Sequence, residues 1–130
     1  MSQHHVTIEG KLAVTKKSNH RAVAPVDVCL TPVGPNLVPV PYVNVAPSSH
    51  LKGGSTTVRI GGAPVMLADS QLRPSTGNEA GVGGGIKSKM TRGPAQPLQT
   101  SLWVRIEGAH VARTGDITLQ NGKNTLGTLR

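Results

Sequence analysis

Phenylalanine is absent from this 130-residue chain, and Trp103, Tyr42 and Cys29 are its single tryptophan, tyrosine and cysteine. Aromatic side chains bury the most area apiece, so the core cannot rest on a few large anchors. Val, Ile, Leu and Ala must supply the burial. A lone cysteine excludes an intrachain disulfide and gives no sign of an oxidising compartment. No apolar run approaches the roughly eighteen residues that span a bilayer. The opening Met-Ser-Gln-His-His is polar, unlike a signal peptide. The chain is therefore expected to be made soluble in the cytoplasm and, if it leaves the cell, to be carried by some other apparatus. Acidic residues are scarce too: six Asp and Glu stand against fourteen Lys and Arg, for a formal net charge of +8.

That charge alone is compatible with nucleic acid, an anionic membrane surface or an acidic protein as partner. Its distribution narrows the choice. Lys16, Lys17 and Arg21 come early, Lys87, Lys89 and Arg92 in the middle, Lys123 and Arg130 late. No stretch interleaves them with stacking aromatics, and no basic helix is available to enter a groove. Nucleic acid is not the expected partner.

Catalytic signatures are missing as well. Asp69, Glu79, Glu107 and Asp116 are scattered, and neither a Gly-x-Ser-x-Gly elbow nor an HExxH pair occurs. Asp27 and Cys29 share one face of an extended segment, but no neighbouring histidine would activate the thiol. Gly81-Val82-Gly83-Gly84-Gly85 lacks the Gly-Lys-Ser/Thr ending of a phosphate loop. The chain reads as non-enzymatic.

What the chain does have is turns and repetition. Sixteen Gly and ten Pro make up about a fifth of it, and no window keeps a helical apolar spacing between them. Val6-Thr7-Ile8-Glu9-Gly10 returns as Val58-Arg59-Ile60-Gly61-Gly62 and again as Val104-Arg105-Ile106-Glu107-Gly108. The second and third copies extend further, as VRIGGAPVMLADS against VRIEGAHVARTGD. Short apolar/polar alternation ended by glycine predicts strands entering tight turns, and its recurrence predicts stacked hairpins. The expected fold is all-β, a single domain over 1–130. A first strand is predicted over 6–14, a strand pair over 56–67, and a last hairpin over 102–112 and 117–119. Pro25, Pro32, Pro35, Pro39, Pro41 and Pro47 predict extended edge or polyproline-like segments over 25–47. Residues 75–85 predict a glycine-rich loop able to approach another backbone closely.

Within this frame, Val26-Asp27-Val28-Cys29-Leu30-Thr31-Pro32 and Pro39-Val40-Pro41-Tyr42-Val43-Asn44-Val45-Ala46 carry a D-V-C-x-T-P … P-x-P-Y-x-N-x-A signature. Ser48-Ser49, Val65-Met66-Leu67 with Ser70, and Ser75-Thr76-Gly77-Asn78-Glu79-Ala80-Gly81 follow in order. Gly84-Gly85-Ile86-Lys87-Ser88, Glu107-Gly108 and Val111-Ala112-Arg113 complete the set. This ordered series, over about residues 25–121, resembles the PAAR-like (Tox-PAAR-like) family. Residues 1–5 and 122–130 would then be flexible ends.

The resemblance implies a small conical β fold of short hairpins that caps the trimeric VgrG spike of a type VI secretion system. Such a tip sharpens the spike for membrane piercing, attaches effector proteins and touches the target membrane transiently. One monomer on a three-stranded shaft needs approximate threefold symmetry at its base, and the V-x-I-x-G copies are natural candidates to supply it. The Asn121-Gly122-Lys123-Asn124-Thr125 stretch reads as a short polar tail with no room beyond for a toxin, so the chain is expected to be a stand-alone tip. The alternative is a basic β adaptor that binds an effector without capping the spike. Relatives commonly hold zinc near the apex, which here would fall to Cys29, His20, His50 and His110. None of these has tight ligand spacing, and Gln120, a poor ligand, stands where relatives tend to carry a histidine. Equally, Cys29 reads as a small buried hydrophobe, and His50 and His110 as exposed turn residues.

Overall fold

The computed structural model describes residues 6–130. It is all-β, with fourteen strands, one 3₁₀ turn and no α-helix among the described residues. The strands are β1 (Thr7–Ile8), β2 (Lys11–Leu12), β3 (Arg21–Val33) and β4 (Asn36–Pro47), then the Ser48–His50 turn. There follow β5 (Leu51–Lys52), β6 (Arg59–Ile60), β7 (Ala63–Pro64), β8 (Gln71–Leu72) and β9 (Gly84–Gly85). The last are β10 (Gln96–Pro97), β11 (Arg105–Ile106), β12 (Ala109–His110), β13 (Ile117–Gln120) and β14 (Thr125–Leu129).

The largest sheet runs β10-β13-β14-β3-β4, with β9 also against β3, and its pairings are antiparallel. The predicted edge character of 25–47 is half right. β4 is an edge and carries Pro39, Pro41 and Pro47, but β3 is central, with β4 on one side and β14 and β9 on the other. Pro25 is tolerated there because the register slips: Ala24 faces Asn44 and Asp27 faces Tyr42, so three steps on β3 match two on β4. A bulge is where a central strand accepts proline. The extra residue also flips the buried parity. Ala22 and Ala24 point inward before it and Asp27 and Cys29 after it, while Pro25 and Val26 are exposed.

The flexible end expected at 122–130 is corrected. Leu129 is fully buried, and β14 pairs with both β13 and β3. The apolar periodicity of Leu126 and Leu129 is too sparse to read against Gly122 and Gly127 in sequence. The other expected flexible end, residues 1–5, lies outside the described residues. The predicted last hairpin also divides: β11 and β12 form it, whereas 117–120 joins the large sheet.

Two apolar clusters fill the interior. One gathers Ile8, Ala13, Ile60, Val65, Leu67 and Val111, with Val104, Ile106 and Ala109 against it. The other gathers Val14, Ala22, Ala46, Leu51, Met66, Leu72, Ala95, Ala112 and Leu129. Beyond them along β3 and β4 the buried residues turn polar: Asn44, Asp27 and the Cys29 thiol. The end of the β3–β4 hairpin, Val33 to Val38, is exposed.

Candidate functional site

The three V-x-I-x-G phrases form three separate two-stranded hairpins, β1–β2, β6–β7 and β11–β12. Their turns are alike. Glu9 and Gly10 have φ 56° and 81°, Gly61 and Gly62 58° and 78°, Glu107 and Gly108 54° and 83°. Two positive φ values in a two-residue loop match the type I′ turn, whose twist suits a hairpin and explains the glycine at the second position.

After each hairpin the chain enters a ring. Isolated bridges join Thr15 to Val65, Leu67 to Val111, and Arg113 back to Ala13. The central hydrogen bonds are cyclic as well: Met66 N–H donates to Val14 O (2.8 Å), Ala112 N–H to Met66 O (3.0 Å), and Val14 N–H to Ala112 O (3.2 Å). A second cycle runs Lys16 N–H to Pro64 O, Ala68 N–H to His110 O and Thr114 N–H to Leu12 O. Each repeat leaves through the same turn. Ser18 Oγ, Ser70 Oγ and Asp116 Oδ2 accept from the N–H of Thr15, Leu67 and Arg113, at 2.9, 2.9 and 2.8 Å. The first copy, five residues long by eye, thus extends to Ser18. Thirteen-residue units starting at Val6, Val58 and Val104 are related around one pseudo-threefold axis.

The three corners are not identical. Glu is uncommon at positive φ, and its carboxylate explains its presence here. Glu107 reaches the segment before β6, where the N–H groups of Thr56, Thr57 and Val58 donate to it at 2.9–3.0 Å, joined by the two threonine hydroxyls. Those backbone donors, Val58 first, hold its pKa down at about 2. Glu9 does the equivalent one corner round: it accepts from Ser101 Oγ and pairs with Arg113 at 3.5 Å. Arg113 is also held by Asp116, which raises its pKa further. The third hairpin carries Gly61 at this position. Lys11, Arg59 and Arg105 are exposed on the three hairpins. Where one corner has Thr56 and Thr57, another has Leu102 and Trp103, 77 % and 83 % exposed.

A family model described as a toxin PAAR-like domain matches residues 20–127. This chain is a member of the toxin PAAR-like domain family. It is also similar to the DNase toxin Tse7 of Pseudomonas aeruginosa, 33% identical over 114 residues. The match takes in 82% of this chain and 30% of that toxin, so the chain spans less than a third of its length. No solved structure matches.

In this PAAR-like chain the signature residues meet inside the fold. Asp27 is fully buried, and its carboxylate accepts from the side-chain amides of Asn78 (2.7 Å), Asn124 (2.6 Å) and Asn121 (3.4 Å). Cys29 lies beside it, with the Asn121 and Asn78 amide nitrogens 3.6 and 3.8 Å from Sγ. Burial, and then the Asp27 charge, push the thiol up to about 11. A neutral thiol is a poor nucleophile at pH 7. Nearby, Gln120 donates to Ala22 O, Asn44 O and Asn44 Oδ1, and Asn44 donates to Ser75 Oγ.

The four candidate zinc residues do not come together. His20 is buried with both ring nitrogens engaged at 2.6 Å, by Ser18 Oγ and Thr114 Oγ1, and burial lowers its pKa. His50 Nδ1 faces Pro74 O, and His110 Nδ1 is buried without a partner on β12. Among the described residues no three His, Cys, Asp or Glu side chains stand close enough to share a metal ion. The residues present do not fit a tetrahedral zinc centre. A concavity lined by Asn19, His20, Arg21, Pro47, Ser48 and Ser49 offers no carboxylate or thiol. Sequence reasoning placed Asp27 and Cys29 on one face but missed Asn121 and Asn124, whose runs with glycine look like an ordinary polar turn.

Proposed function

We propose that this chain caps a trimeric VgrG spike of a type VI secretion system, with the three-hairpin face as its docking base, and links effector cargo to the spike. The observation that carries the reading is the cyclic set of hydrogen bonds through Val14, Met66 and Ala112. A monomer has no internal need for threefold symmetry, whereas a surface that must match a threefold shaft does. Lys11, Arg59 and Arg105, one on each hairpin, give the face a positive rim suited to an acidic shaft end. The domain acts by docking rather than catalysis, and the nuclease activity in the relative's name is not assigned to it. It is made in the cytoplasm and carried out on the spike. No helix of the described residues is long and apolar enough to cross a membrane.

Native mass spectrometry of the chain mixed with purified VgrG trimer tests this. One copy per trimer is expected, weakening as salt rises and lost in the Arg59→Glu/Arg105→Glu variant while its thermal melt stays unchanged. No binding, or three copies per trimer, overturns the cap. Capture of an effector without the spike would instead favour the adaptor reading.

A further inference from the structure

The region around β3 beyond the bulge has almost no apolar interior of its own. Past the bulge, β3 buries only Asp27 and Cys29, and β4 buries no residue beyond Asn44, which faces Ala24. A region built this way needs a crosslink that burial cannot supply. The fold contains one that uses only protein atoms.

Asp27 is the hub. Three asparagines donate their amides to its carboxylate, and each uses its own amide oxygen to hold a different part of the glycine-rich stretch. Asn78 Oδ1 accepts from Arg92 N–H at 3.0 Å and Asn121 Oδ1 from Gly93 N–H at 2.8 Å. Asn124 Oδ1 accepts from Lys87 N–H at 2.8 Å and Ser88 N–H at 3.2 Å. Asn121 and Asn124 also donate to Met90 O and Val28 O. The hub therefore ties β3, the loop between Ser75 and Gly93, and the β13–β14 turn into one body. Glycines let the loop sit down on it. A Cβ on Gly85 would come within 2.3–2.7 Å of the Asn124 amide, and one on Gly81 within 2.5 Å of Cys29 Cβ.

We propose that the Asp27 carboxylate, with Asn78, Asn121 and Asn124, replaces a metal ion as the staple of the tip, so that this PAAR-like domain folds and works without zinc. A carboxylate receiving several amide N–H groups is a charge-assisted crosslink, stronger than neutral pairs and resistant to water once enclosed. From β3 it radiates bonds to two other chain segments and so joins three, as a metal ion would, but its geometry is set by planar amides. The Asn78 and Asn121 amides that approach the Cys29 thiol also fill the space in which a ligand to its sulfur would sit.

The test uses the full chain. Purified protein is measured for metal content, and its thermal midpoint is recorded with EDTA, without it, and with added zinc. Less than about a tenth of an equivalent of zinc and three superimposable melts are expected. Stoichiometric zinc, or a midpoint that falls in EDTA, overturns the proposal. Asp27→Asn turns the acceptor into a fourth amide facing three donors, and its midpoint should fall by on the order of 10 °C or more; an unchanged midpoint overturns the proposal. Should that variant fail to fold, Asn78→Ala keeps the question open to measurement. Amide exchange at Arg92, which bonds to Asn78, should accelerate at least about tenfold while Met66 and Ala112 stay protected. Unchanged exchange at Arg92 overturns the hub. Cys29→Ala should lower the midpoint by only a few degrees, equally with and without EDTA.

Discussion

The cyclic ring makes a demanding prediction about volume. Val14, Met66 and Ala112 occupy equivalent places around one axis, yet they are a medium, a large and a small side chain, all fully buried in one cluster. The three pack in one buried cluster, while the backbone hydrogen bonds treat them alike. Met66→Ala should cost about 3 kcal/mol from lost burial and the void left behind. Ala112→Met alone adds bulk to a filled layer and should cost about 2 kcal/mol. If the sites are unrelated, the double variant loses their sum, about 5 kcal/mol. If they are related by the axis, it moves the same bulk one position round and should lose less than about 2 kcal/mol. Unfolding entropy for 130 residues is about 270 cal/mol/K, so these losses correspond to midpoint drops of about 18 °C and about 7 °C. Calorimetry on the four proteins decides between them. Additive losses would refute the claim that the repeats form one threefold layer, and with it the main support for docking on a trimer.

Two further predictions concern the Glu107 carboxylate and the loop that begins at Ser75. Because Glu107 is held at about 2, below its usual 4.5, its contribution to stability is present above about pH 4.5 and fades as the pH falls towards 2; the midpoint gap between wild type and Glu107→Gln should be open at pH 6 and closed near pH 2, and a constant gap would mean that the carboxylate charge is irrelevant. Gly77 has φ 111°, and a Cβ there would stand 1.9 Å from Val43 O; Gly77→Ala should cost on the order of 3 kcal/mol or more, measured by urea unfolding, and a loss below about 1 kcal/mol would show that the loop is not seated on β4.

How much of this was legible depended on whether the deciding contacts were local. The three hairpins were readable because a type I′ turn needs glycine at a fixed place, so Gly10, Gly62 and Gly108 announced themselves. The first repeat stopped early by eye because Lys11-Leu12-Ala13-Val14-Thr15 shares little chemistry with Ala63-Pro64-Val65-Met66-Leu67; backbone bonds relate them, and backbone leaves no mark in composition. β3 was misjudged because two prolines argue against a central strand, and nothing in Ala24-Pro25-Val26-Asp27 declares a bulge. The asparagine hub was the least visible. Asn78, Asn121 and Asn124 sit in turn-like surroundings, where asparagine is commonplace, and their common partner is far away in the chain. The one available hint was Asp27 itself, a charge in the middle of an otherwise apolar extended run.

The closure of the ring bears on how the molecule is born. Thr114 bonds to Leu12 across 102 residues of sequence, so the three-hairpin ring cannot assemble until nearly all of this stretch has left the ribosome. Such a topology predicts slow maturation, in the millisecond-to-second range rather than microseconds. It also predicts all-or-nothing opening, because loosening any one repeat breaks its links to both others.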